Sequence, residues 1–243
     1  MDFFSGKNIL ITGHTGFKGT WLCEILKQAG ANITGYSLGP KQNSLYNIVK
    51  SETNLCSYIA DIRNYEKLRE VFFETKPEIV IHLAAQPLVL DSYEQPLYTF
   101  EANIMGTVNL LDCIRQSDTV RSVVIITTDK VYHNIERSHG YKEADFLGGK
   151  DPYSASKACV ELAVKSYKAS FLEAKNIAIS AARAGNVIGG GDISGNRIIP
   201  DCVRAATAKE KMCNLSVSLS NVAPIGRGPY IAAFRFTNSS PFT

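Results

Sequence analysis

Asn8-Ile9-Leu10-Ile11-Thr12-Gly13-His14-Thr15-Gly16-Phe17-Lys18-Gly19 is an apolar run that breaks into glycines spaced three apart. The run reads as a buried strand, and the glycines as a tight turn that opens a helix. Gly13 permits the sharp turn, Gly16 lets backbone N–H groups approach a pyrophosphate, and Gly19 lets the helix pack closely on its strand. An anion then meets the positive end of the helix. The helix that follows carries an apolar stripe of Trp21, Leu22, Ile25 and Leu26 and runs to about Gly30. A glycine triplet between a strand and an amphipathic helix is the context of a dinucleotide cradle.

Outward from this turn the chain alternates strand and helix, the pattern of a doubly wound α/β sheet. Residues 32–37 read as the second strand, and no Asp or Glu stands at its end to hold an adenosine ribose. Ser37 offers a weaker contact and Lys41 a reach to a 2′-phosphate, which favours NAD over NADP only modestly. Residues 38–45 have loop chemistry, and a third strand lies near 57–59. Asp61-Ile62 then falls where the edge of an adenine would lie, although Asp61 or Asn64 equally suits the cap of a helix over 65–76. The run 79–85 reads as a strand whose small C-terminal residues, Leu83, Ala84 and Ala85, let a nicotinamide lie close to backbone. His82 within it reads as a satisfied core histidine. Helix signals resume over 96–114, where Asn103, a poor helix former, is expected to bridge backbone groups beside the site.

The run 123–130 is an apolar strand that turns polar at Thr127-Thr128-Asp129-Lys130, at the ligand end of such a sheet. Asp151-Pro152 then supplies an N-cap acid and a first-turn proline for a helix bearing Tyr153 and Lys157 on one face. An ammonium near a phenol favours tyrosinate, so the pair makes a base.

The 243 residues are 45% hydrophobic with a formal charge of +3 spread over interspersed acids and bases. That supports one sizeable core and gives no footprint for nucleic acid or an anionic membrane. The start lacks signal-peptide character and no apolar segment approaches a membrane span, so a cytoplasmic protein is expected. Six cysteines without a C-x-x-C pair suit buried, reduced thiols rather than disulfides or a metal site.

Thr-Gly-x-x-Gly-Phe-x-Gly at 12–19 and Tyr-x-x-x-Lys at 153–157 resemble the extended short-chain dehydrogenase/reductase family. The blocks at 14–19, 82–89, 128–130, 148–154 and 182–192 are similar to its sugar-nucleotide dehydratases, over about 6–214. The resemblance implies a Rossmann-type doubly wound parallel sheet binding NAD, with 1–212 carrying both the cofactor site and catalysis. It places NAD against Gly13, Thr15, Gly16, Phe17, Gly19, Ser37, Asp61, Ile62, Leu83, Ala84, Ala85, Asn103, Thr127, Tyr153 and Lys157. A nucleotide-sugar substrate would meet Gln86, Thr128, Asn186 and Arg197. Thr128 would hold the sugar 4-hydroxyl, Tyr153 would take its proton, Lys130 would act as base at C5 and Asp129 as acid at C6. The family has Glu at the position of Lys130, and a lysine base there requires burial or cationic neighbours. The same resemblance implies a homodimer joined through 96–115 and 153–174.

The chain departs from the family at Leu90, where Arg is usual, and near Arg137, His139 and Ile193, where Trp is usual. After Asn214 the likeness stops, the family's sugar-binding lobe finds no counterpart, and no acidic residue follows Glu210. A reading-frame change is one expectation for 213–243, whose Gly, Pro, Ser and Asn suggest poor order apart from a possible strand at 215–220. Three functions remain open: a sugar-nucleotide dehydratase, a 4-epimerase, which would lack the acid and base after Thr128, and a catalytically silent NAD-binding chain.

Overall fold

The computed structural model describes residues 2–49, 55–208 and 235–236. Six parallel strands, β1 Asn8–Thr12, β2 Asn32–Ser37, β3 Cys56–Ile59, β4 Ile79–His82, β5 Ser122–Thr128 and β6 Ala178–Ala184, form one sheet in the order β3-β2-β1-β4-β5-β6. The short β7, Arg235–Phe236, adds antiparallel to β6. Strand order reverses between β1 and β4, so the crevice at their carboxyl ends is the place where such sheets receive ligands. The expected strand at 215–220 and the rest of 213–243 lie outside the described residues.

Strand side chains alternate between faces, and the core divides accordingly. Leu10 of β1 joins one apolar cluster with Val80, Val123, Ile125, Leu110, Leu111, Ile114, Val160 and Val164. Its neighbours Ile9 and Ile11 point the other way, to Cys23 and Leu26 of α1 (Phe17–Gln28) and to Ile33 and Ile79. Both faces are covered, which is why β1 and β5 read as continuous apolar runs. Helices α3 (Tyr65–Thr75), α6 (Gly106–Gln116) and α7 (Pro152–Tyr167) cover the first face. The short helices α2 (Leu45–Val49), α4 (Val89–Glu94) and α5 (Pro96–Phe100) lie in the connections, and α8 (Ile198–Ala208) follows β6.

Several boundaries differ from the sequence expectation. β4 ends at His82, so Leu83, Ala84 and Ala85 lie beyond the strand. β5 ends at Thr128, and Asp129 and Lys130 belong to a 3-10 turn, Asp129–Val131. The helix expected over 96–114 is divided by a π turn, Glu101–Met105, that carries Asn103. Asn64, whose side chain accepts from the Lys67 N–H, caps α3, so Asp61 is not the cap. Among the described cysteines, all free, Cys23 and Cys113 are buried as expected whereas Cys56 is exposed.

Candidate active site

The glycine turn behaves as its spacing requires. Gly13 has φ +76°, and a Cβ there would stand 2.7 Å from the Ala84 nitrogen. A Cβ on Gly19 would stand 2.1 Å from the Gly13 carbonyl oxygen, so only glycine lets α1 approach its strand this closely. Gly16 is different: it is exposed and is the N-cap of α1 with no side-chain cap, and no acid stands in the first turn. An uncapped, acid-free helix start facing open space fits an anionic pyrophosphate.

His82 is the structural residue the sequence implied. The Thr107 hydroxyl donates to the Asn103 carbonyl at 2.6 Å and therefore accepts from His82 Nε2–H at 3.0 Å. Nδ1 then accepts from the Thr12 hydroxyl at 2.6 Å, and Thr12 Oγ1 accepts from the Ala84 N–H at 3.2 Å. Burial holds the imidazole neutral, with its pKa lowered to about 3. The histidine thus joins β1, β4 and α6 directly beneath the glycine turn.

Asn103 also does what its position suggested. Its Oδ1 accepts the Gln86 N–H at 2.8 Å, and its Nδ2 donates to the Gln86 carbonyl at 3.2 Å and to Ser156 Oγ at 2.8 Å. Ser156 Oγ donates to the Tyr153 carbonyl at 2.7 Å, so the loop after β4 is tied to the first turn of α7. Gln86 itself requires a correction. It is buried, its Nε2 donates to the Leu88 carbonyl and to Thr99, and its Oε1 accepts from the Leu88 N–H. Its amide builds the turn, with both ends held by protein partners.

At the ribose end, the Thr15 hydroxyl donates to the Leu38 carbonyl at 2.9 Å and so accepts from Ser37 Oγ at 2.8 Å. The Ser37 proton is spent, correcting the expectation that Ser37 donates to a ribose; its oxygen remains an acceptor. Asp61 is held by Arg63, whose Nε and Nη2 donate to Oδ2 at 3.1 and 2.8 Å, while Nη1 reaches Glu101. That hydrogen bonding keeps the Asp61 carboxyl below its ordinary range. Ile62 packs its side chain against Gly106, leaving backbone for any contact with an adenine. Phe17 lies against Gly189 of the loop after β6.

The residues expected to be catalytic lie together at the carboxyl end of β5 and the start of α7. Asp151 caps α7 by accepting from the Ser154 N–H at 2.9 Å, and Pro152 opens it. Tyr153, in the first turn of α7, lies within electrostatic reach of Thr128, Asp129 and Arg197. Lys157 is buried, and its Nζ donates to the Ile126 carbonyl at 3.2 Å. The expectation that Lys157 holds Tyr153 as tyrosinate is not met in this arrangement. Burial pushes the phenol up, and the Lys157 ammonium, lowered to about 7 by desolvation and by Lys18, is directed at backbone instead. Asp129 accepts from the Thr128 hydroxyl at 3.0 Å, and desolvation raises its carboxyl above the ordinary value. Lys130 is exposed, so the described residues do not provide the burial on which its role as base depends.

Thr127 lies differently from the expectation of a cofactor contact: its hydroxyl proton is donated to Glu161 Oε1 at 2.8 Å. Asn186 is exposed at the mouth, and Arg197 pairs with Asp192 at 3.4 Å. Sequence reasoning missed Glu161, Arg183 and Lys18. The first had a signal, since Glu161 lies one helical turn after Lys157 and two after Tyr153 and so shares their face. A depression of about 390 Å³ at Asn8, Asn32 and Cys56 opens at the amino ends of the strands, away from this chemistry.

The parallel sheet, the glycine turn and the Thr128–Tyr153–Lys157 set have the architecture of an extended short-chain dehydrogenase/reductase. More narrowly, the chain belongs to the GDP-mannose 4,6 dehydratase family, whose family model matches residues 10–217. It is 48% identical over 210 residues to CDP-glucose 4,6-dehydratase of Salmonella typhimurium, covering 84% of this chain and 58% of the relative. It is 33% identical over 203 residues to dTDP-D-glucose 4,6-dehydratase of Dictyostelium discoideum, covering 77% and 45%. Among solved structures, UDP-glucose 4-epimerase of Thermus thermophilus in complex with NAD matches with a TM-score of 0.67 and 30% identity, covering 77% of this chain and 58% of that one. The NAD complex of dTDP-glucose 4,6-dehydratase from Bacillus anthracis shares the fold, with a TM-score of 0.70 at 22% identity over 85% and 63%. The chain therefore spans about 58% of the length of the Salmonella relative.

Proposed function

We propose that the chain carries the cofactor site and catalytic residues of a sugar-nucleotide 4,6-dehydratase whose substrate is CDP-glucose and whose product is CDP-4-keto-6-deoxyglucose. The observation that carries this reading is Asp129, a desolvated carboxyl biased toward its protonated form and bonded to Thr128 beside Tyr153. Exchange of configuration at C4 needs a group for the 4-hydroxyl proton, whereas loss of water also needs an acid for the departing C6 hydroxyl. The likeness to the Salmonella enzyme favours the same substrate.

The residues fit NAD. The uncapped start of α1 at Gly16 receives the pyrophosphate, Ser37 Oγ accepts from a ribose hydroxyl, Asp61 and the Ile62 backbone border the adenine, and Lys157 reaches the nicotinamide ribose. An acceptor at Ser37 suits a 2′-hydroxyl and repels a 2′-phosphate, which favours NAD over NADP. Bound NAD supplies the hydride acceptor for C4 and the hydride donor for C6. Thr128 holds the sugar 4-hydroxyl and Tyr153 takes its proton. A ketone at C4 acidifies the C5 proton, which Lys130 removes once substrate covers it, while Asp129 protonates the leaving hydroxyl.

The same reading supports a cytoplasmic homodimer. Leu97, Met105 and Leu162 are exposed apolar residues on the segments 96–115 and 153–174, which suits burial against a second copy. No helix among the described residues is long and apolar enough to cross a membrane. Equilibrium dialysis with NAD, together with mass analysis of nucleotide sugars after incubation with CDP-glucose, tests the function. Retained NAD and a product lighter by one water support it; bound NAD with unchanged substrate supports a silent chain.

A further inference from the structure

Beyond the residues that meet substrate, a continuous line of contacts runs from the surface loop after β5 to Thr127, the neighbour of Thr128. Arg137 lies 4.1 Å over the ring of Tyr141, which stacks on Tyr132 at 5.1 Å and 22°. The opposite face of that pair meets Arg183 of β6, 4.7 Å from the Tyr132 ring. Arg183 Nε donates to Glu161 Oε1 at 2.7 Å and its Nη2 to Oε2, and the Thr127 hydroxyl donates to the same Oε1. Arg183 also donates to the Glu143 carbonyl at 3.3 Å, within the loop.

One face of α7 therefore meets two successive residues of β5. Lys157 binds the Ile126 carbonyl and Glu161 the Thr127 hydroxyl, and Tyr153 stands one turn before Lys157 on the same face, beside Thr128. Glu161 and Arg183 are almost fully buried, with side-chain exposures of 3% and 9%. Replacing such a pair with apolar groups of similar size is often neutral or stabilising, so stability alone is a weak reason for a buried ion pair here. Its geometry is better explained by what it aligns.

We propose that Glu161 is a positioning residue: through Thr127 on one side and Arg183 on the other, it sets the register of α7 on β5 and thereby holds Thr128 against Tyr153. The stacked loop is the far end of the same device. This inference rests on the assignment of Thr128 and Tyr153 as catalytic, but its test needs no turnover.

The groups that face the phenol are Thr128, Asp129, Arg197 and Asp151. The Thr128 proton is held by Asp129 Oδ1, so a change in how α7 lies on β5 reaches the phenol through its surroundings and moves its titration. The chain labelled with ring-carbon-13 tyrosine, its Tyr153 resonance assigned through Tyr153→Phe, is titrated by NMR as wild type, Thr127→Val and Glu161→Gln. Thr127→Val changes neither charge nor volume appreciably and keeps the experiment decisive should Glu161→Gln fail to fold. The expected result is a displaced Tyr153 resonance and a midpoint moved by about 0.5 in pH in Thr127→Val, the scale of one altered hydrogen bond. Arg183→Lys, which keeps the charge but not the forked contact, is expected to move it the same way. A Tyr153 resonance with unchanged shift and midpoint in folded Thr127→Val and Arg183→Lys overturns the proposal, whatever the fate of CDP-glucose.

Discussion

Lys157→Met is expected to change the pH dependence of stability. The lysine is almost fully buried, donates to a single carbonyl at 3.2 Å, and has its pKa lowered from 10.5 to about 7, first by desolvation and then by Lys18. Because the folded value lies below that of the open chain, the unfolded protein binds the extra proton across this window, and stability rises with pH from about 7 to 10.5. With these two values the buried ammonium costs about 5 kcal/mol near about pH 6 and about 2 kcal/mol near about pH 9. Wild type should therefore gain about 3 kcal/mol relative to Lys157→Met between those conditions. Methionine keeps the volume and loses the hydrogen bond to Ile126, a loss that does not depend on pH. Urea unfolding of both proteins at several pH values measures the difference, and excess NAD should shrink it if ribose hydroxyls partner the ammonium. A stability difference that stays constant from about pH 6 to about pH 9 would refute the reasoning and place the ammonium in a better-solvated setting.

Three further outcomes are expected. Tyr153→Phe should abolish turnover while leaving the NAD dissociation constant within a few fold, because the proposed pyrophosphate site is the start of α1 at Gly16; dialysis and product analysis on the same sample measure both. Asp129→Asn should lower kcat by about 10²–10⁴-fold, the usual scale for a lost general acid, with the high-pH limb of the rate profile lost because the acid responsible is gone. Gly13→Ala should cost about 1–3 kcal/mol and most NAD affinity, since φ is +76° and the new Cβ meets the Ala84 nitrogen at 2.7 Å; urea midpoints and dialysis check it.

Much of the fold was legible because its signals are local. Glycine spacing, an apolar run and an N-cap before a proline each lie within a few residues, and β1, α1, β2 and the start of α7 follow from them. His82 and Asn103 were legible for another reason: a polar residue in an apolar strand or mid-helix must find partners, and both did. What escaped depended on residues distant in the chain. Nothing near Gln86 announces that its amide closes a turn with Leu88 and Thr99, nor does Thr127 announce Glu161, 34 residues on. The phenol of Tyr153 was misjudged because helical spacing puts Lys157 on the right face without saying where its ammonium points, and the Ile126 carbonyl captures it.

The central claim is that these residues remove water from a sugar nucleotide, and product analysis after incubation with NAD and CDP-glucose in deuterated water tests it most directly. Removal of the C5 proton during elimination predicts a 4-keto product lighter by one water and carrying solvent deuterium at C5, absent in Tyr153→Phe. A product of unchanged mass inverted at C4, with no deuterium at C5, would contradict the account and make the chain an epimerase.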